Sequence, residues 1–176
     1  MRKFRLGRVY GLDLTVDPLF IIACLGLSMV VAGLSMWLLH WSARNALVGG
    51  LAFGVLHALS VFLHDFGHGI AARSTGYPMT GIEFGRYGLL ATTLYPSNEP
   101  ALPGKIHIRR AVGGPLMSFA VAVLLGLLTF VLPRQSVAWW VVLVGSWHNL
   151  LSLTMQVFLP ISWVDGGTIA YWRNRE

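Results

Sequence analysis

His64, Asp65 and His68 fall within seven residues, LHDFGHG, from Leu63 to Gly69. Residues four apart share one face of a helix, so the two imidazoles can be offered to a single ion, with a carboxylate beside them. Imidazole nitrogens suit Zn²⁺, which they hold at about 2.0–2.1 Å. A catalytic zinc site takes three protein ligands and keeps one position for water, so the pair calls for a further donor. Asp165, in LPISWVDGG from Leu159 to Gly167, is the candidate. Pro160 interrupts helical hydrogen bonding before it, and Gly166 and Gly167 permit close backbone approach after it. Each piece alone has a plainer reading, as a hydrogen-bonded histidine pair in a core or as an Asp-Gly turn. Together the three residues satisfy one requirement.

The elements that must position them follow from composition. Of 176 residues 55% are hydrophobic and only 11% charged, with a mean hydropathy of +0.65. A soluble domain is nearer a quarter charged, so the chain reads as an integral membrane protein. The net charge of +6 then belongs to basic loops at a membrane face, and no long soluble basic surface is left for nucleic acid. Cys24 is the one cysteine, which excludes an intramolecular disulfide.

Four apolar runs are long enough to span: 18–39, 46–72, 111–132 and 136–159. The basic start precedes a run too long for a signal peptide, which is read as a retained first span. With the N-terminus in the cytoplasm, eleven of the 13 Lys and Arg residues lie inside, and only Arg44 and Arg134 outside. That is the positive-inside pattern, and it puts both termini in the cytoplasm. Spans two and four then run the same way, so the two histidines and Asp165 reach one depth near the cytoplasmic side. An ionisable group at such depth is by default functional.

The fold class expected is an all-α polytopic membrane protein of about four helices. A short strand-like hairpin lies between spans two and three, where Ile82 to Phe84 alternate before Gly85-Arg86-Tyr87-Gly88 and Leu89 to Tyr95 return. The whole chain, residues 1–176, is read as one membrane-embedded core without a separate soluble domain. Gly50 and Gly54 form a G-x-x-x-G that predicts close helix packing within the molecule. His57 and His148 are expected to be packing or supporting polar residues.

Three ordered motifs resemble those of the site-2 proteases, the intramembrane zinc metalloproteases. HDFGHGIAARSTGYPM (His64 to Met79) is similar to the family's H-E-x-x-H helix, AVGGPLMSF (Ala111 to Phe119) to its A-G-P-L-A-N-F span start, and LPISWVDGG to its L-P-I-P-P-L-D-G-G segment. RVYGLDLTVDPLF (Arg8 to Phe20) resembles the amphipathic lead-in of compact members. The departures are Asp65 for the catalytic Glu, Ser118 for an Asn, and Val157 for another Asn. Asn149 and Gln156, seven apart and on one helical face, are the candidates to supply the hydrogen bonds that Val157 cannot make.

The resemblance implies a zinc-dependent intramembrane endopeptidase with one Zn²⁺ per chain in a cell (inner or plasma) membrane. His64, His68 and Asp165 would be the metal ligands and Asp65 the general base toward the metal-activated water. The substrate implied is a membrane-spanning protein cut within or beside its span, as in regulated intramembrane proteolysis, with the strand-like piece pairing to it by β-addition. The enzyme reading carries a reservation, because Asp is one methylene shorter than Glu. It retracts by about 1.3 Å, and a misplacement near 1 Å costs on the order of 10²-fold in rate. The alternative is an inactive zinc-binding pseudoprotease that binds or escorts membrane clients. A histidine-rich di-iron oxidase is disfavoured, since the six histidines form one i, i+4 pair and four singles.

Overall fold

The computed structural model describes residues 3–86, 88–173 and 175; the basic Arg2 and the turn residue Tyr87 lie outside them. Helix α1, Pro18–Leu39, begins where the Asp17 carboxylate accepts the Leu19 N–H at 2.8 Å and Pro18 occupies the first turn, both favourable at a helix start. Helix α2, Ala43–Ser74, is capped by Ser42. Helix α3 runs Gly104–Leu128 and α4 Val137–His148. A π-helical stretch, Asn149–Thr154, and a 3-10 turn, Met155–Phe158, carry the fourth span onward. A short helix, α5, Asp165–Arg173, closes the chain. Four helical segments are long and apolar enough to cross a membrane, so the chain is a multi-pass membrane protein.

Glycines set how closely these helices approach. A Cβ at Gly50 or Gly54 of α2 would collide with Ser28 of α1, so the G-x-x-x-G does pack within the molecule. Gly67 of α2 and Gly113 of α3 lie against each other's backbone. α2 is therefore held between α1 and α3, with the histidine face toward α3.

The expected all-α description needs correction. Besides the hairpin of β3, Gly81–Phe84, and β4, Ala91–Leu94, the lead-in segment forms β1, Phe4–Val9, and β2, Leu12–Val16. All four make one sheet in the order β1-β2-β3-β4, antiparallel at both ends and parallel between β2 and β3. Tyr10 and Gly11 both take positive φ, 50° and 83°, as a two-residue hairpin turn requires. Leu12, Leu14 and Val16 alternate inward onto Val61 and Ala72 of α2 and onto Met79, Ile82 and Phe84. The sheet thus packs on the half of α2 that carries the histidines.

Two other expectations shift. α3 starts seven residues before the apolar run, so Lys105, Arg109 and Arg110 are helical. The fourth span leaves α-helical geometry after His148, and α5 had no counterpart among the expected elements.

Candidate metal centre

His64 and His68 are buried on α2, and each is oriented from α3. His68 Nδ1 lies 2.8 Å from the Arg110 carbonyl oxygen. A carbonyl only accepts, so Nδ1 carries the proton and Nε2 keeps a lone pair. His64 Nδ1 is 2.9 Å from Ser118 Oγ, and its Nε2 likewise faces inward. Gly114 of α3 makes room for both rings; a Cβ there would sit 2.6 Å from His64 Nε2 and closer still to His68 Nε2.

The sequence-predicted Asp165 arrives on the first residue of α5. It is brought there by a tight return of the chain, in which a Cβ on Gly166 would strike the carbonyls of Gln156, Val157 and Leu159. Asp165 Oδ2 lies 3.2 Å from His64 Nε2 and Oδ1 3.3 Å from His68 Nε2, while the two Nε2 atoms are 3.1 Å apart.

These distances test whether a metal fits. Tetrahedral bonds of about 2.0–2.1 Å separate neighbouring donors by about 3.3 Å, close to all three spacings found. Asp165 Oδ2 is buried without a hydrogen-bond partner among the described residues. Two imidazole lone pairs and a carboxylate facing one point repel one another unless a cation lies between them. His64, His68 and Asp165 therefore fit a divalent metal with N₂O donors, and they are the one such group among the described residues.

The group borders a cavity of about 350 Å³ that Asp65, Thr92, Thr93 and Gln156 also line. Asp65 is 5% exposed and faces this space from α2. Gly67 and Gly69, which flank it in sequence, are occupied elsewhere: Gly67 against Gly113 and Gly69 against Leu12. A second cavity of about 350 Å³ shares His68 and Asp165 and is walled by Tyr95, Glu99 and Arg110. There Arg110 is clamped by Glu99 at 2.6 and 3.0 Å, by the Tyr77 carbonyl at 2.6 Å and by the Tyr95 ring at 4.3 Å. The Arg110 hydrogen bond holds the Glu99 carboxyl below the usual carboxylate range.

Of the two residues expected to compensate for Val157, the structure brings only one to the site. Gln156 Nε2 is 3.3 Å from His64 Nε2 and donates to the Leu153 carbonyl. Asn149 is fully buried and bonds Ser60 and the Gly145 carbonyl. The π-helical stretch between them breaks the seven-residue register that would have aligned them. His57 and His148 pair at 3.1 Å, and His57 Nε2–H donates to the Leu89 carbonyl at the hairpin's end. They tie α2, α4 and the hairpin together away from the metal donors.

No protein-family model and no curated protein sequence matches the chain. Among solved structures it is similar to a site-2 protease from Methanocaldococcus jannaschii, with a TM-score of 0.67 and 21% identity. The similarity covers 96% of this chain and 70% of that one. The chain therefore has the fold of that protease, as the three motifs implied.

Proposed function

We propose that the chain is an intramembrane zinc-dependent endopeptidase of the site-2 protease family. One observation carries the proposal: two buried histidines of α2 and the half-buried Asp165 of α5 bring three donors to 3.1–3.3 Å of one another beside a cavity. The fold shared with a site-2 protease supports it. His64, His68 and Asp165 would hold one Zn²⁺. When bound, the ion supplies Lewis acidity toward a carbonyl oxygen and toward water.

The residues of the chain do the rest. Ser118 Oγ and the Arg110 carbonyl fix the two imidazoles so that both Nε2 lone pairs point inward. Asp65, directly or through one intervening water, takes the proton of the attacking water and returns it to the leaving amine. The Gln156 amide stands at the cavity wall, where a donor can meet developing negative charge on the scissile carbonyl oxygen. β4 pairs with β3 on one side only and is the edge of the sheet, and Ala91, Thr92 and Thr93 line the cavity. A locally unwound substrate strand can add to that edge. The substrate is a single-span membrane protein, cut near its cytoplasmic end because the basic residues put this depth on the cytoplasmic side.

The test is cleavage in proteoliposomes against a panel of single-span membrane proteins, with zinc counted in the same preparations. The expected result is about one zinc per chain and a cut substrate. Asp65→Asn should abolish cleavage and keep zinc, while His64→Ala should lose both. If the unmodified chain binds zinc, cuts nothing in the panel, and Asp65→Glu gains activity, the chain is a pseudoprotease. Zinc retained in Asp165→Ala would remove Asp165 from the ligand set.

A further inference from the structure

The face of α2 opposite the α3 contact ends in a cleft that takes no part in the proposed chemistry. Its volume is about 400 Å³, and Arg8, Tyr10, Asp13, Gly69, Arg73 and Met79 are among its walls. We propose that this cleft, between the β1–β2 hairpin and the C-terminal end of α2, binds the phosphate headgroup of an anionic phospholipid.

Position is the first argument. α2 has 32 residues, about 48 Å at 1.5 Å per residue, against a hydrocarbon core of about 30 Å. Its last turn, which carries Arg73, therefore reaches the headgroup layer. Charge is the second. Asp13 is the one acidic side chain in the cleft wall, and Arg5 holds it at 2.6 Å with Arg8 Nε at 3.9 Å. Among the described residues no carboxylate lies within salt-bridge distance of Arg73, whose guanidinium rests 4.3 Å over the Tyr10 ring. The cleft wall thus carries two guanidinium groups, Arg8 and Arg73, against one carboxylate that Arg5 already pairs, an excess that an anionic headgroup neutralises and a zwitterionic one does not. Guanidinium forks also match phosphate oxygens bidentately.

Apolar surface is the third argument. Phe4, Leu6 and Tyr10 are 53%, 62% and 58% exposed beside the cleft's basic rim, and β1 is the outer edge of its sheet. The strand bulges between Arg5 and Gly7, which interrupts its pairing beside these exposed side chains. A hairpin with exposed apolar side chains and guanidinium groups is suited to lie at a bilayer surface, with acyl chains against the former and phosphate against the latter. Gly69 adjoins His68 in sequence, so a lipid seated here packs on the back of the histidine helix. The proposal rests on the chain's place in a membrane and not on proteolysis.

The test is native mass spectrometry of the full-length protein released from mixed micelles of phosphatidylglycerol and phosphatidylcholine. Phosphatidylglycerol should be retained at least fivefold over phosphatidylcholine. Arg8→Gln and Arg73→Gln should each lower that retention about fivefold, while Arg8→Lys, Arg73→Lys and the control Arg44→Gln keep most of it. Glycerol 3-phosphate in millimolar excess should leave the lipid in place. Equal retention of the two lipids, or undiminished retention in the Gln variants, overturns the proposal. So does displacement by glycerol 3-phosphate, which would make the cleft a site for a soluble phosphate. If Arg73→Gln fails to fold, Arg8→Gln decides, since that side chain is 65% exposed and its loss leaves the core intact.

Discussion

Gly114→Ala separates metal binding from folding. The added Cβ would lie 2.6 Å from His64 Nε2, whereas ordinary contact begins at 3.4 Å. The His64 ring must retreat by about 0.8 Å, and His68 by more. Metal–donor distances tolerate about ±0.2 Å, so two of the three donors leave bonding range together. The rings cannot swing freely, because Ser118 and the Arg110 carbonyl hold them from the same helix. Loss of a supporting hydrogen bond alone costs 10–100-fold in metal affinity, and moving two ligands should cost on the order of 10³-fold. The fold should survive. Alanine gains about 0.8–1 kcal/mol over glycine inside a helix, against about 1–3 kcal/mol for overpacking. The measurement is zinc per chain at a free concentration that saturates the unmodified protein, with thermal midpoints before and after chelation. The expected variant holds less than about a tenth of the zinc, melts within about 4 °C of the metal-free unmodified protein, and gains nothing from added zinc. A variant that loads one zinc at the unmodified protein's concentration would refute the arrangement of His64 and His68 around Gly114.

Ser118→Ala removes the partner of His64 Nδ1 and should weaken zinc binding about 10–100-fold in chelator competition; unchanged affinity would mean that Ser118 does not orient the ring. Gln156→Ala should leave zinc in place and slow cleavage by about 10²-fold, while Asn149→Ala should cost about 1–2 kcal/mol of stability and leave zinc untouched. The reverse assignment would show that Gln156, not Asn149, is the structural residue. Arg110 holds the Glu99 carboxyl below its usual value of 4.5. The folded value is the lower one, so this stabilisation is complete above about pH 4.5 and is lost as pH falls through the folded value. The thermal midpoint of the unmodified protein should fall between about pH 5 and pH 3. Glu99→Gln should be lower at pH 7 by about 2 kcal/mol, because it leaves Arg110 short of its counter-charge, and it should show less of the acid decline; an identical decline would point to other carboxylates.

The parts of the molecule governed by local pattern were legible in the sequence. The run 18–39 coincides with α1 because uninterrupted apolar residues follow an Asp-Pro start. His64, His68 and Asp165 could be matched because direction of span and charge balance fix depth without any contact being known. The sheet was harder. Leu12, Leu14 and Val16 carry a period-two signal, but it spans five residues, and the parallel pairing of β2 with β3 joins segments separated by two whole helices. No nearby residue announces that partner. Only Gln156 of the pair Asn149 and Gln156 reaches the site, for a specific reason: the seven-residue rule assumes α-helical rotation, and the chain between them is π-helical and then 3-10.

The short carboxylate at Asp65 can now be weighed against the helix that carries it. A closer approach of α2 to the metal donors would be the simplest compensation for a missing methylene, and it would need Gly67 and Gly69 to be free to yield. Both are occupied by other contacts. Gly67 lies on Gly113, which sets the α2–α3 spacing that lets His68 reach the Arg110 carbonyl, and Gly69 accommodates Leu12 of the sheet. Moving α2 further would compress one of these contacts or break the other. The helix is therefore fixed by the same packing that aims the imidazoles, and any compensation must come from the cavity side. Water fits there: the space is about 350 Å³, with Thr92, Thr93 and Gln156 as polar wall. A carboxylate that acts through one intervening water would keep its acid–base role from a greater distance. If the chain is the endopeptidase proposed, the packing of α2 favours a water relay at Asp65 over a repositioned helix.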